Sequence, residues 1–167
     1  MRRNASPCGR DGDVPIQRAT HVGICVTDLE RSIEFYRDRL GFQYLSRIHV
    51  VGEPSDTLLS LEGVDLHAAY LERDGLRVEL LYYASPKSPA ADRPRPMNDI
   101  GLTHLSLRVS DLDALVAELR GRGVRIVDQT KIDIPVVEAA AVMIQDPDGL
   151  KIELVQAPGD PAAPPQV

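Results

Sequence analysis

The sequence predicts an α+β fold made of two paired βαβββ modules, and three features of the chain carry that reading. The octapeptide DGLRVELL, Asp74 to Leu81, returns as DGLKIELV, Asp148 to Val155. The decapeptide THVGICVTDL, Thr20 to Leu29, returns as THLSLRVSDL, Thr103 to Leu112, with Thr, His, Val, Asp and Leu matched outright. Between these landmarks the same succession of strand-like and helix-like periodicities runs twice. His21 and His104 are 83 residues apart, whereas Glu79 and Glu153 are 74 apart, so the first copy carries nine extra residues between its landmarks.

Each element has a local reason. Residues 19–26 alternate and are rich in Val and Ile, which predicts a strand. Thr27 and Glu30 have the spacing of a capping box, with Thr27 as the N-cap. Leu29, Ile33, Tyr36 and Leu40 then recur at helical spacing, and Gly41 stops the helix. Residues 42–51 read as a strand followed by a polar loop. Residues 65–71 and 76–83 read as a hairpin across Glu72-Arg73-Asp74-Gly75. The second copy repeats the order. It has a strand over 102–109, an N-cap at Ser110, and a helix over 111–120 with Leu112, Leu115 and Leu119 inward and Gly121 and Gly123 as breakers. Strands follow near 124–129 and 139–145, and the turn Asp146-Pro147-Asp148-Gly149 leads into a last strand over 150–156.

Composition bounds the functional classes. The 167 residues are 43% hydrophobic and 26% charged, an ordinary globular balance with enough apolar material for a core. The net charge of −6 repels phosphate backbones, so nucleic acid is not an expected partner. No apolar run approaches the roughly 20 residues needed to span a bilayer, so no membrane association is expected. The N-terminus lacks the apolar segment of a secretory signal, and Cys8 and Cys25 do not make a disulfide framework; a cytoplasmic protein is expected. Residues 1–15 and the Pro/Ala-rich 158–167 read as disordered tails. Residues 85–100 read as a proline-rich linker between a first module over 16–84 and a second over 101–157.

Strand alternation sorts the polar residues. Val22, Ile24 and Val26 share the face that packs on the helix, and His21, Gly23 and Cys25 take the other. Leu105, Leu107 and Val109 likewise oppose His104, Ser106 and Arg108. Leu76, Val78 and Leu80 oppose Arg77, Glu79 and Leu81, and Leu150, Ile152 and Leu154 oppose Lys151, Glu153 and Val155. A lone strand Glu or His is commonly a solvated residue. One His and one Glu at equivalent places in both copies is a different matter. If the copies pack about a pseudo-two-fold axis, His21, Glu79, His104 and Glu153 form an N2O2 set suited to one divalent ion: Zn, Ni, Co, Mn or Fe(II). His49 and His67 have no partner in the repeat and read as structural or surface residues.

THVGICVTDLERSIEFYRDRLGF, THLSLRVSDLDALVAELRGRGV and DPDGLKIELV together resemble the vicinal oxygen chelate superfamily, over about residues 16–157. The resemblance implies that the two modules form a curved, cleft-lining mixed β-sheet of the glyoxalase/dioxygenase type. It implies metal ligands at His21, Glu79, His104 and Glu153, a set similar to that of glyoxalase I and methylmalonyl-CoA epimerase. A small-molecule substrate and a homodimer are expected, with the site within one chain or between two. The implied chemistry is that of a lyase or isomerase: the ion polarises a carbonyl, and Glu79 or Glu153 accepts the proton of the neighbouring C–H. Arg77, Leu81, Tyr83 and Arg108 share the ligand face and are the expected substrate contacts, with Arg108 suited to a carboxylate or phosphate. The alternatives are an Fe(II)-dependent extradiol-type dioxygenase and a small-molecule-binding protein of the antibiotic-resistance type.

Overall fold

A computed structural model describes residues 15–89 and 95–163. The expected N-terminal tail, but for Pro15, the middle of the expected linker and the last four residues of the expected C-terminal tail lie outside the described residues. The first module runs β1 (Val22–Cys25), α1 (Leu29–Glu34), a π-helical continuation (Phe35–Arg39), β2 (Gln43–Val51), α2 (Glu53–Leu59), β3 (Asp65–Arg73) and β4 (Leu76–Ser85). The second runs β5 (His104–Arg108), α3 (Leu112–Gly121), β6 (Arg125–Ile134), a 3-10 turn (Pro135–Val137), β7 (Ala139–Gln145) and β8 (Lys151–Gln156). The strands form two four-stranded mixed sheets of matching order, β1-β4-β3-β2 and β5-β8-β7-β6. In each, the first strand lies parallel to the last and the remaining pairs are antiparallel.

The nine-residue difference between the copies has a structural counterpart. Residues 52–64 join β2 to β3, where residues 135–138 join β6 to β7. The longer connection contains α2, a helix where the sequence suggests only a polar loop. Pro54 sits in its first turn, the one place a helix tolerates proline, and Ser60 closes it in the left-handed region at φ 53°. The hairpin between β3 and β4 turns on Asp74 and Gly75 alone. Both have positive φ (52° and 82°), the signature of a two-residue type I′ turn.

Both helix caps differ from expectation in the same way. Asp28, not Thr27, caps α1, accepting from Arg31 N at 3.0 Å. Asp111, not Ser110, caps α3, accepting from Ala114 N at 2.9 Å. A carboxylate one residue nearer the helix reaches the third amide, which frees the preceding hydroxyl residue. Thr27 spends that freedom on the other module. Its amide and hydroxyl both donate to Asp148, in the turn before β8, at 3.0 and 2.5 Å, and Arg31 donates to the same carboxylate at 2.8 Å.

The core is one apolar cluster drawn from both modules. Ile24, Val26, Ile33, Phe42, Leu71, Val78 and Leu80 join Leu112, Leu119, Val142, Ile144, Ile152 and Leu154. These are the helix-side residues of each sheet, as strand alternation predicts. Tyr36, fully buried, donates to the buried Asp146 of the second module at 3.1 Å. Burial, ahead of the neighbouring carboxylates, pushes the Tyr36 hydroxyl well above its ordinary range, so it remains a donor. No helix among the described residues is long and apolar enough to cross a membrane.

Candidate metal centre

The faces turned away from this core carry the repeated His and Glu. The β1–β4 register sets Gly23 beside Glu79, and the β5–β8 register sets Ser106 beside Glu153. His21, just before β1, and His104, opening β5, therefore lie two residues from the strand neighbours of the two glutamates, on the same face. His21 Nε2 stands 3.1 Å from Glu79 Oε2. His104 Nε2 stands 4.0 Å from Glu153 Oε2. Each imidazole is oriented by the residue before it: Thr20 Oγ1 lies 3.0 Å from His21 Nδ1, and Thr103 Oγ1 lies 2.9 Å from His104 Nδ1. A hydroxyl can donate to or accept from Nδ1, so each threonine holds its ring in place in either tautomer, as the outer partner of a metal-ligating histidine does.

The structure thus gathers the four expected ligands as two like pairs, one on each sheet. Among the described residues the one group of three or more His, Cys, Asp or Glu within a common coordination distance lies elsewhere, at His49, Asp65 and His67. β1 and β5 are edge strands of their sheets, and no ladder joins them. The helix-side faces are committed to a shared core, so each His/Glu pair lies on the opposite, outward face of its sheet.

The two halves are alike in plan and unlike in detail. Across β3, Glu79 faces Tyr70, whose hydroxyl donates to Oε1 at 2.5 Å. The corresponding neighbour of Glu153 on β7 is Met143, which offers no donor. Glu153 is held instead by Ser106, which donates to Oε2 at 2.6 Å, and the matching place on β1 is Gly23. The Tyr70 phenol is pushed up to about 12, first by burial and then by its bond to Glu79. Its ring also meets His21 edge-on, with centroids 5.4 Å apart. Strand alternation does not single out Tyr70, and the repeat marks Thr20 and Thr103 without a role.

The expected substrate contacts divide. Tyr83 lies on the Glu79 side and is half-buried; burial, then the Cys25 and Glu79 charges, raises its hydroxyl. Leu81 lies across from Cys25, and its Cδ1 would stand 3.1 Å from a Cβ at Gly23, so it packs beside Gly23 on the face that carries Glu79. Arg77 is paired with Glu72 at 2.7 Å. Arg108 donates to the carbonyls of Ala157 and Pro158 at 2.5 and 2.6 Å, so its guanidinium is engaged by the chain just after β8.

A family model, described as the glyoxalase/bleomycin resistance protein/dioxygenase superfamily, matches residues 18–154. The chain belongs to this superfamily. It is 27% identical over 161 residues to the mitochondrial methylmalonyl-CoA epimerase of Bos taurus, covering 94% of this chain and 86% of that protein. It is 30% identical over 146 residues to a 2-epi-5-epi-valiolone epimerase of Actinomyces sp, covering 83% and 78%. The crystal structure of a glyoxalase family protein from Bacillus cereus superposes with a TM-score of 0.76 at 23% identity, over 89% of this chain and 99% of that one, a likeness of fold. The matched superfamily segment contains all four residues of the His/Glu pairs.

Proposed function

We propose that this chain is a divalent-metal-dependent epimerase or isomerase that moves a proton at the carbon beside a substrate carbonyl. The observation that carries the reading is the twinned Thr-His···Glu unit, with a threonine hydroxyl against the imidazole Nδ1 on both sheets. His21 and Glu79 from one half, with His104 and Glu153 from the other, would hold the ion. When bound, the ion supplies Lewis acidity at the carbonyl oxygen, which acidifies the adjacent C–H. The set closes between two copies of the chain, the first-module pair of one meeting the second-module pair of its partner. Two epimerases among the relatives favour proton transfer over ring cleavage.

The two glutamates take different parts. Glu79 is clamped by Tyr70, lies 3.1 Å from its imidazole and is 13% exposed, so it stays put as a ligand. Glu153 lies 4.0 Å from its imidazole, is 30% exposed and is tethered by one small hydroxyl, so it is free to swing. Glu153 takes the proton on a carboxylate oxygen while Ser106 holds its orientation; return to a neighbouring carbon isomerises the substrate, and return to the same carbon inverts it when the proton reaches the opposite face. Leu81 and Tyr83 exclude water from one side of the cleft.

Metal-loaded protein incubated with methylmalonyl-CoA, or with a glutathione hemithioacetal, in D2O is expected to place deuterium at the carbon beside the carbonyl. Glu153→Gln is expected to slow this by about 10²–10⁴-fold while the ion still binds. Oxygen uptake with a catechol and no exchange with either compound would sink the proposal. Mixing His21→Ala chains with His104→Ala chains is expected to restore roughly a quarter of the sites if the set spans two copies. No restoration places all four ligands in one chain.

A further inference from the structure

We propose that His49, Asp65 and His67 form a second transition-metal site, on the helix side of the first sheet and separate from the His21/Glu79 pair. His49 on β2 and His67 on β3 are direct cross-strand neighbours. Their rings are stacked with centroids 4.1 Å apart and planes 5° from parallel. Asp65 precedes His67 by two residues and so shares its face. Its Oδ1 is 2.7 Å from His49 Nε2 and 3.4 Å from His67 Nε2. Ligand atoms around a tetrahedral ion at 2.0–2.1 Å stand roughly 3.3 Å apart, so the two spacings to Asp65 lie near those of a bound cation, and the stacked rings must splay to aim both nitrogens at it. The three ligand atoms lie within 4.8 Å of one another.

The face follows from the register. Tyr70 pairs with Glu79 and His67 pairs with Tyr82, three residues along each strand, so the two pairs lie on opposite faces. On β2, Arg47 is two residues from His49 and bonds Glu30 of α1, which marks that face as the helix side. Tyr82 stands beside the pair, its ring centroid 6.3 Å from that of His67. Lys87 Nζ lies over the Tyr82 ring, 5.9 Å from its centroid. Asp65 is well anchored for a ligand: the carboxylate of Asp56 in α2 accepts from the two preceding amides, Gly63 N at 3.1 Å and Val64 N at 2.7 Å.

The duplicated module serves as an internal comparison. His67 lies across from Tyr82 and Ala140 across from Gln156, which makes Ala140 its counterpart; the β6 partner of Ala140 is Asp133. Neither place holds an imidazole, so the trio belongs to the first module alone. Two imidazoles and one carboxylate select Zn, Ni, Co or Cu(II) over hard cations, with water filling the remaining positions. In the metal-free state His49 Nε2–H donates to Asp65. Coordination needs that proton on Nδ1 instead, a tautomer exchange that changes no charge. The bound ion would pin the edge strand β2 to β3 beside the long connection.

The test is Zn(II) and Co(II) titration against a competing chelating dye. The double variant His21→Ala/His104→Ala, which lacks the imidazoles of the first set, is expected to bind one equivalent per chain. Adding His67→Ala or His49→Gln is expected to weaken that binding at least 100-fold; both side chains are half-exposed, and circular dichroism checks the fold. In a second measurement on an otherwise wild-type background, His67→Ala is expected to lower total zinc by one equivalent per chain and to leave deuterium exchange unchanged. Zinc uptake undiminished by both His67→Ala and His49→Gln overturns the site, and so does a folded double variant that binds no zinc. Either result leaves the His21/Glu79/His104/Glu153 set untouched, because no residue is shared.

Discussion

Tyr70→Phe removes one oxygen and tests whether the Glu79 half-set is pre-positioned by its own sheet. The phenol donates to Glu79 Oε1 at 2.5 Å, and the carboxylate it holds is 13% exposed. A hydrogen bond to a charged group contributes about 1.5–3 kcal/mol. Removing an outer-shell partner of a metal ligand typically costs about 10–100-fold in affinity, which is about 1.4–2.8 kcal/mol. The two scales overlap near ~2 kcal/mol, so zinc affinity at the N2O2 set should fall by about 30-fold. The measurement is a competitive dye titration in a His67→Ala background, with Tyr82→Phe, on the opposite face of the same hairpin, as control. Because the Tyr70 hydroxyl is pushed up to about 12, it remains a donor at any ordinary assay pH. The gap between the wild-type residue and Phe should therefore stay constant from neutral pH to about pH 10. An affinity within twofold of the parent, or equal losses in Tyr70→Phe and Tyr82→Phe, would refute the reasoning.

Asp148→Ala removes the acceptor of the exposed Thr27 amide and hydroxyl and should cost about 1–2 kcal/mol, read as a lower urea midpoint at unchanged m-value; Arg31, half-exposed, contributes little. A loss below about 0.5 kcal/mol would show that the modules do not depend on this tie. Burial raises the Asp146 carboxyl in the fold against the hydrogen bonds it accepts from Leu150 N, Asp148 N and Tyr36. A raised folded value means its stabilising contribution is present below the ordinary aspartate range and lost as pH rises through that folded value. The stability of the wild type relative to Asp146→Asn should thus be most favourable in acid and shrink toward neutral pH; denaturant curves across that range would show the opposite slope if the argument is wrong. Leu80→Ala, at a fully buried β4 position, should cost about 2–5 kcal/mol by the same denaturant method, and a smaller loss would mean the shared core collapses around the gap.

Much of this architecture was legible in the sequence because it is written twice. The His/Glu strands, their inward and outward faces and the element order follow from period-2 patterning that one helix per copy reinforces. What escaped notice depended on register. Taking Glu72 to Gly75 as a four-residue turn shifts β3 against β4 and hides Tyr70 behind the wrong neighbour. Taking Asp74-Gly75 as a two-residue turn sets Arg73 opposite Leu76 and so brings Tyr70 opposite Glu79. The Asp-Gly dipeptide carried that signal. His49 and His67 offered no such cue: their pairing spans the 52–64 connection, whose helix is too short and too polar to read, and no repeat partner exists to flag it. Both helix caps slipped by one residue because a hydroxyl and a carboxylate stand side by side before each helix, and only the tertiary tie from Thr27 to Asp148 shows which is left over.

Gly23 has a consequence for handedness. Its counterpart Ser106 reaches Glu153, whereas a Cβ at 23 would stand 3.1 Å from Leu81 Cδ1, so a side chain there would require Leu81 to shift. The two duplicated halves therefore differ at this place: one sheet sets a serine hydroxyl beside its glutamate, and the other sets bare backbone there. Were the two halves to close on one guest, a chiral molecule between them would meet unlike flanks and would have one preferred way round to sit.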